Sequence, residues 1–118
     1  MTLQHTTLET RREDIDAEVA FWALIGFEQV EPPGRLRDIA TWVARNGTQI
    51  HLLYTDEPVI APRGHVAVVA DDYDATLQRL DRAGFAFEPT TADWGAPRGF
   101  ARSPAGHRVE VMQAPPPS

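Results

Sequence analysis

Three histidines and a glutamate occupy matching places in two halves of this chain: His5 and His51 in the first, His65 and Glu110 in the second. Imidazole and carboxylate bind hard-to-borderline divalent cations, and both can move protons near neutral pH. A lone histidine in a strand is ordinarily a polar residue on a solvated face. Ligand-type residues at the equivalent positions of a repeat are harder to assign to chance. The repeat is visible in its punctuation: His5, Gly26-Phe27, Gly47 and His51 are followed by His65, Gly84-Phe85, Gly106 and Glu110. Gly26 to Gly47 spans 21 positions and Gly84 to Gly106 spans 22, while Gly47 to His51 and Gly106 to Glu110 are both four. A duplicated supersecondary unit accounts for this order, since each copy must do the same packing work. The fourth histidine, His107, lies three residues before Glu110, so it faces the other way and reads as turn or surface.

These side chains need strands to position them. Segment 3–9 alternates as a strand, and 13–25 follows as a helix with Ile15, Val19 and Trp22 along one stripe and acidic residues in its first turn. Gly26 supplies the stop, 27–30 a second strand, Pro32-Pro33-Gly34 a loop, and 39–44 a third strand. Asn46-Gly47 predicts a tight turn into a fourth strand over 48–54. The second copy predicts strands at 65–70, 85–88, 98–102 and 107–113, and a helix over 72–83 that Asp71 or Asp72 caps, with Leu77 and Leu80 inward. Each copy therefore reads βαβββ. Strand parity puts Gln49, His51 and Leu53 on one face and apolar Ile50, Leu52 and Tyr54 on the other. Arg108, Glu110 and Met112 are likewise opposed to Val109 and Val111, so both donors point away from the layer that must be filled.

The chain of 118 residues predicts one domain over 1–113, with modules 3–54 and 65–113, a Pro-containing connector at 55–64 and a disordered, Pro-rich tail at 114–118. The absence of cysteine removes disulfides and thiolate metal sites. No apolar run reaches the roughly 18 residues of a membrane helix and no signal-type start is present, so the expectation is a cytoplasmic protein with no membrane partner. A net charge of −6 argues against nucleic acid.

The closing run Trp94-Gly95, Arg98-Gly99-Phe100 and Ser103-Pro104-Ala105-Gly106-His107-Arg108-Val109-Glu110, together with the paired βαβββ order, resembles the vicinal oxygen chelate superfamily over about positions 3 to 113. That group includes glyoxalase I, fosfomycin and bleomycin resistance proteins and extradiol dioxygenases. Ser103 stands where the family usually has Asp, and His51 where relatives most often have Glu or Gln. The resemblance implies an α+β fold of two tandem βαβββ modules, forming an open, cup-shaped mixed sheet with helices on the convex side. The first and last strands of each copy would be adjacent.

It further implies a divalent metal ion (Zn, Ni, Co, Mn or Fe(II)) on His5, His51, His65 and Glu110. His5, His65 and Glu110 alone would form a two-His-one-carboxylate triad with open positions. Glu110 and His51 are the candidate catalytic residues. His51 is open to three roles: ligand, acid or base beside the ion, or bystander. Trp42, Trp94, Arg98 and Phe100 are the candidate substrate contacts, and Arg35, Arg37 and Arg98 could clamp an anion. The implied activity is a metal-dependent lyase, isomerase or small-antibiotic transferase that holds a small substrate through vicinal oxygens. The alternatives are an antibiotic-sequestering binding protein of the bleomycin-resistance type and a small Fe(II) ring-cleaving dioxygenase. Relatives of this length imply a homodimer with exchanged modules.

Overall fold

The computed structural model describes all 118 residues and divides into two compact units, Met1–Ile60 and Ala61–Ser118, the division falling inside the expected connector. The first unit runs β1 (His5–Thr10), a short 3-10 turn (Arg12–Asp14), α1 (Ile15–Leu24), β2 (Glu28–Val30), a second 3-10 turn (Gly34–Asp38), β3 (Ala40–Arg45) and β4 (Thr48–Tyr54). Its sheet has the order β1-β4-β3-β2, with β1 parallel to β4 and the other pairs antiparallel. The second unit runs β5 (Val66–Val69), α2 (Tyr73–Arg82), β6 (Glu88–Pro89), β7 (Arg98–Arg102) and β8 (Arg108–Met112). Its order, β5-β8-β7-β6 with β5 parallel to β8, repeats the first. Both repeats are thus βαβββ units with mixed four-stranded sheets, and the first and last strands of each are neighbours. No helix is long and apolar enough to cross a membrane.

Strand parity decides what each sheet buries. In the first unit Val43, Ile50 and Leu52 are essentially inaccessible, and Phe21, Trp22, Ile25 and Phe27 are buried with them in the core. Burial of each large apolar side chain of this kind contributes about 1.5–3 kcal/mol. Trp22 meets both Phe21 and Phe27 edge to face, at centroid distances of 5.4 and 5.6 Å. The helix face differs from the Ile15-Val19-Trp22 stripe: the fully buried positions are Glu18, Phe21 and Trp22, and Ile15 and Val19 are half-buried. Glu18 tolerates burial because its carboxylate accepts a hydrogen bond from the Trp22 indole N–H at 3.1 Å. Asn46 and Gly47 both have positive φ, 49° and 82°, as the tight turn between β3 and β4 requires.

In the second unit Val109, Val111 and Leu80 are fully buried, and Tyr73 and Thr76 are buried on the same helix as Leu80. Asp72 caps α2, its carboxylate accepting from the Ala75 backbone N–H at 3.0 Å. Leu80 faces inward as expected, whereas Leu77 is only half-buried. The strand expected at 85–88 contracts to Glu88–Pro89, pressed against β7 at Gly99. A Cβ at Gly99 would stand 2.5 Å from both the Glu88 carbonyl oxygen and the Phe87 ring. Gly99→Ala is therefore expected to destabilise the fold by about 1–3 kcal/mol, the usual cost of overpacking, as measured by urea unfolding.

Candidate functional site

In the first unit β4 directs Gln49, His51 and Leu53 to the face opposite Ile50 and Leu52, as the alternation requires. His51 lies between two rings. Its centroid is 4.0 Å from that of His5, at an interplanar angle of 15°, and 3.9 Å from that of Trp42, at 3°. With both faces covered, only its edge is available for chemistry. His51 Nε2 donates to the Gln49 amide oxygen at 2.8 Å, because a carbonyl oxygen only accepts, and this leaves Nδ1 as its lone-pair nitrogen. In the same way His5 Nδ1 donates to Gln4 Oε1 at 2.6 Å and keeps Nε2. Desolvation, and then the neighbouring charge of His5, hold the His51 pKa below its ordinary value. His51 is thereby biased toward the neutral form that a metal requires.

In the second unit Glu110 is 5% exposed. Its Oε1 lies 3.0 Å from His65 Nε2, and its Oε2 accepts from Arg98 Nη1 at 3.1 Å. Arg98 also donates from Nη2 to Asp93 at 3.0 Å and from Nε to the Thr91 carbonyl at 3.1 Å, and its guanidinium lies 4.7 Å over the Trp94 ring. Desolvation pulls the Arg98 pKa down, but hydrogen bonds to Glu110 and Asp93 and their charges outweigh it, so the pKa rises and the cation is permanent. Trp94 is itself tied down, its indole N–H donating to the Ala114 carbonyl at 2.8 Å. Phe100 meets His65 edge-on at 5.1 Å and carries the Arg108 guanidinium 3.5 Å over its ring.

The two donor pairs are built alike. Thr7 is the β1 residue paired with His51, and Ala67 is the β5 residue paired with Glu110. His5, in β1, and His65, one residue ahead of β5, each stand two residues before that partner. In neither unit do three His, Cys, Asp or Glu side chains gather into a complete ligand group; each holds one pair.

The chemistry of the second pair fits a cation. His65 Nδ1 lies 3.0 Å from the Arg63 carbonyl oxygen, which can only accept, so Nδ1 carries the proton. Arg108 Nη1 approaches the same nitrogen at 3.3 Å, but it also reaches the Arg63 carbonyl at 3.2 Å, and the shorter His65 contact sets the tautomer. Nε2 lies 3.0 Å from Glu110 Oε1, a hydrogen-bonding contact in which the carboxylate oxygen can only accept. A divalent ion would take the place of the shared proton, since about 3 Å is also the separation of adjacent donors on one ion with bonds of roughly 2.1 Å. A ring whose far nitrogen donates to a backbone carbonyl is the usual arrangement of a metal-binding histidine.

Of the expected substrate contacts, Trp42 lines a cavity of about 570 Å³ in the first unit, although one of its faces is occupied by His51. Arg98 is held over Trp94 and bonds Glu110, and Phe100 packs edge-on against His65. Arg37 is engaged with Glu31 and the Gly34 carbonyl. His107, expected in a turn or at the surface, lies between the turn at 104–105 and β8 and is buried, its backbone N–H donating to Ser103 Oγ. Sequence reasoning missed Leu36, Ile39 and Leu53 as cavity walls and Asp93 as the second anchor of Arg98. The apolar Leu36 and Ile39, three apart within an arginine-rich loop, were the available signal for the cavity.

The sequence model of the Glyoxalase/Bleomycin resistance protein/Dioxygenase superfamily matches residues 2–111, and the chain belongs to that family. No match was found among curated proteins. Among solved structures, a putative glyoxalase family protein from Bacillus anthracis is 22% identical, covering 95% of this chain and 93% of its own, with a TM-score of 0.84. The oxidase ChaP-H2 is 21% identical over 100% of this chain and 97% of its own, with a TM-score of 0.79. TnmS3, an antibiotic binding protein from Streptomyces sp. CB03234, is 19% identical over 98% and 97%, with a TM-score of 0.74. At these identities the likeness shows the fold.

Proposed function

We propose that this chain is a metal-dependent enzyme of its family, with His5, His51, His65 and Glu110 as the donors for a divalent ion and a small molecule bearing vicinal oxygens as substrate. The observation that carries this reading is the common register of the two donor pairs, which a set of solvated polar residues has no reason to keep. The tautomer imposed on His65 by the Arg63 carbonyl supports it. When bound, the ion would act as a Lewis acid toward a substrate oxygen on which charge develops.

The remaining work falls to side chains of the chain itself. Arg98 fixes Glu110 through Oε2, so Oε1 is the oxygen that would hold the ion, and it would exchange a proton with substrate only when released from that role. His5 and Trp42 hold the His51 ring in one plane, and Gln49 sets its tautomer. Isomerisation, lyase chemistry and ring oxidation all begin with such a proton transfer at carbon or oxygen next to a bound oxygen. The oxidase among the related folds is in keeping with this range.

Because each repeat holds one donor pair, the full set would draw on both repeats, and we infer that the working form is a homodimer. Metal analysis of untagged protein, with light scattering on the same sample, tests both points. Stoichiometric divalent metal and a mass twice the chain's 13.1 kDa are expected. Wild type that binds metal no more tightly than a His5→Ala/Glu110→Ala double variant would sink the site assignment. A second reading, a binding protein without chemistry, is favoured by the apolar cavity and by the antibiotic-binding relative. Protein free of metal at every step, yet retaining ligand, would decide for it.

A further inference from the structure

Arg98 holds Glu110 by a single hydrogen bond, from Nη1 to Oε2 at 3.1 Å. An arginine can instead grip a carboxylate through two parallel bonds, from Nε with Nη2 or from Nη1 with Nη2, and either grip occupies both carboxylate oxygens. Both grips use Nη2. Here Nη2 donates to Asp93 Oδ2 at 3.0 Å and Nε to the Thr91 carbonyl at 3.1 Å, so Glu110 receives Nη1 alone and its Oε1 faces His65.

The single contact follows from how the second repeat surrounds Arg98. In the register of β7 with β8, Arg98 stands opposite Met112 and Phe100 opposite Glu110, so Arg98 reaches Glu110 diagonally from the next row of the same face. The segment ahead of β7 takes the other side of the guanidinium. Thr91 Oγ1 donates to Asp93 Oδ2 at 2.9 Å and orients the carboxylate that receives Nη2. Trp94 underlies the guanidinium, its indole fixed by the Ala114 carbonyl. The two ends of the bridge differ in exposure: the Asp93 side chain is 64% exposed, those of Arg98 and Glu110 15% and 7%. An ion pair this open to water on one side adds little to stability. Its effect is on geometry. Without Asp93, Nη2 is free to join Nη1, and a paired grip would place a guanidinium N–H on Oε1.

We propose that Asp93 is a positioning residue for the metal site: by engaging Nη2 of Arg98 it keeps Oε1 of Glu110 open to a divalent ion. This rests on reading Glu110 as a metal donor.

The test titrates Co²⁺ into the full chain, followed by absorption, for Asp93→Ala, for Asp93→Asn, and for Asp93→Ala placed in an Arg98→Met background. Asp93→Ala is expected to weaken Co²⁺ binding by about 10–100-fold, the usual loss when a ligand's supporting contact is altered. Its urea midpoint should match that of wild type, since the position is exposed. Asp93→Asn keeps an oxygen that accepts from both Thr91 and Arg98, and it is expected to bind Co²⁺ as wild type does. In Arg98→Met there is no guanidinium to divert, so removing Asp93 should cause no further loss. Equal losses in the Asn and Ala variants, or the same loss in both backgrounds, would mean that Asp93 acts by its charge alone and would overturn the inference. A crystal structure of metal-free Asp93→Ala gives a readout that does not need the ion. Arg98 Nη2 is expected on Glu110 Oε1 there, and a Glu110 still held by Nη1 alone would also overturn the inference. Failure of the metal reading shows separately, as a wild type that takes up no Co²⁺; the grip of Arg98 in Asp93→Ala then still decides the positioning role.

Discussion

Glu110→Gln is expected to fold normally and to lose metal affinity by more than the 10–100-fold that altering a ligand's supporting contacts costs. The amide keeps the shape of the side chain and can still accept from Arg98, but it removes the negative charge that His65 Nε2 faces across 3.0 Å. At saturating metal, turnover should still fall by about 10²–10⁴, because the oxygen that exchanges the proton is no longer basic. Arg98→Met is the informative comparison. It leaves the four proposed donors in place while freeing Glu110 Oε2, so metal affinity should fall by about 10–100-fold. The Co²⁺ absorption spectrum should also change, as the carboxylate becomes able to bind through both oxygens. Unchanged metal binding in Glu110→Gln would remove this residue from the donor set.

His51→Ala is expected to reduce turnover by about 10²–10⁴-fold, and metal content in the same preparation assigns the reason. Lost metal makes His51 a ligand; retained metal with slow turnover makes it an acid or base beside the ion. The ring's setting argues against a bystander, since a histidine clamped between His5 and Trp42, tied to Gln49 and held below its ordinary pKa is well positioned for such a role. Full metal and full activity in His51→Ala would show otherwise.

The facing of His51 and Glu110 was legible in the sequence because strand alternation is a strict rule. Once Ile50, Leu52, Val109 and Val111 had to fill a core, His51 and Glu110 had to face away from it. The Asn46-Gly47 turn and the Asp72 cap were readable for the same reason, each satisfying a local backbone requirement. The helix face of the first repeat was misjudged because Glu18 reads as a surface residue. Only the position of the Trp22 indole, one turn further on, makes its burial tolerable. Arg98 reads in sequence as a clamp for substrate, and nothing local shows that Asp93 and Glu110, five and twelve positions away, already engage it. The cavity was hidden by composition, since Leu36 and Ile39 sit among charged neighbours whose side chains are held elsewhere.

The stacked imidazoles of the first repeat bear on acidity. In the proposed donor set, three imidazoles binding as neutral ligands and one carboxylate would carry a single formal negative charge against a divalent ion. A donor set of this kind would leave the centre one unit positive, where two carboxylates would leave it neutral. Positive charge retained at such a centre strengthens its pull on an oxygen's electrons and lowers the pKa of a hydroxyl bound there. Restoring glutamate at position 51 should therefore raise that pKa and move the rising limb of the activity profile to higher pH.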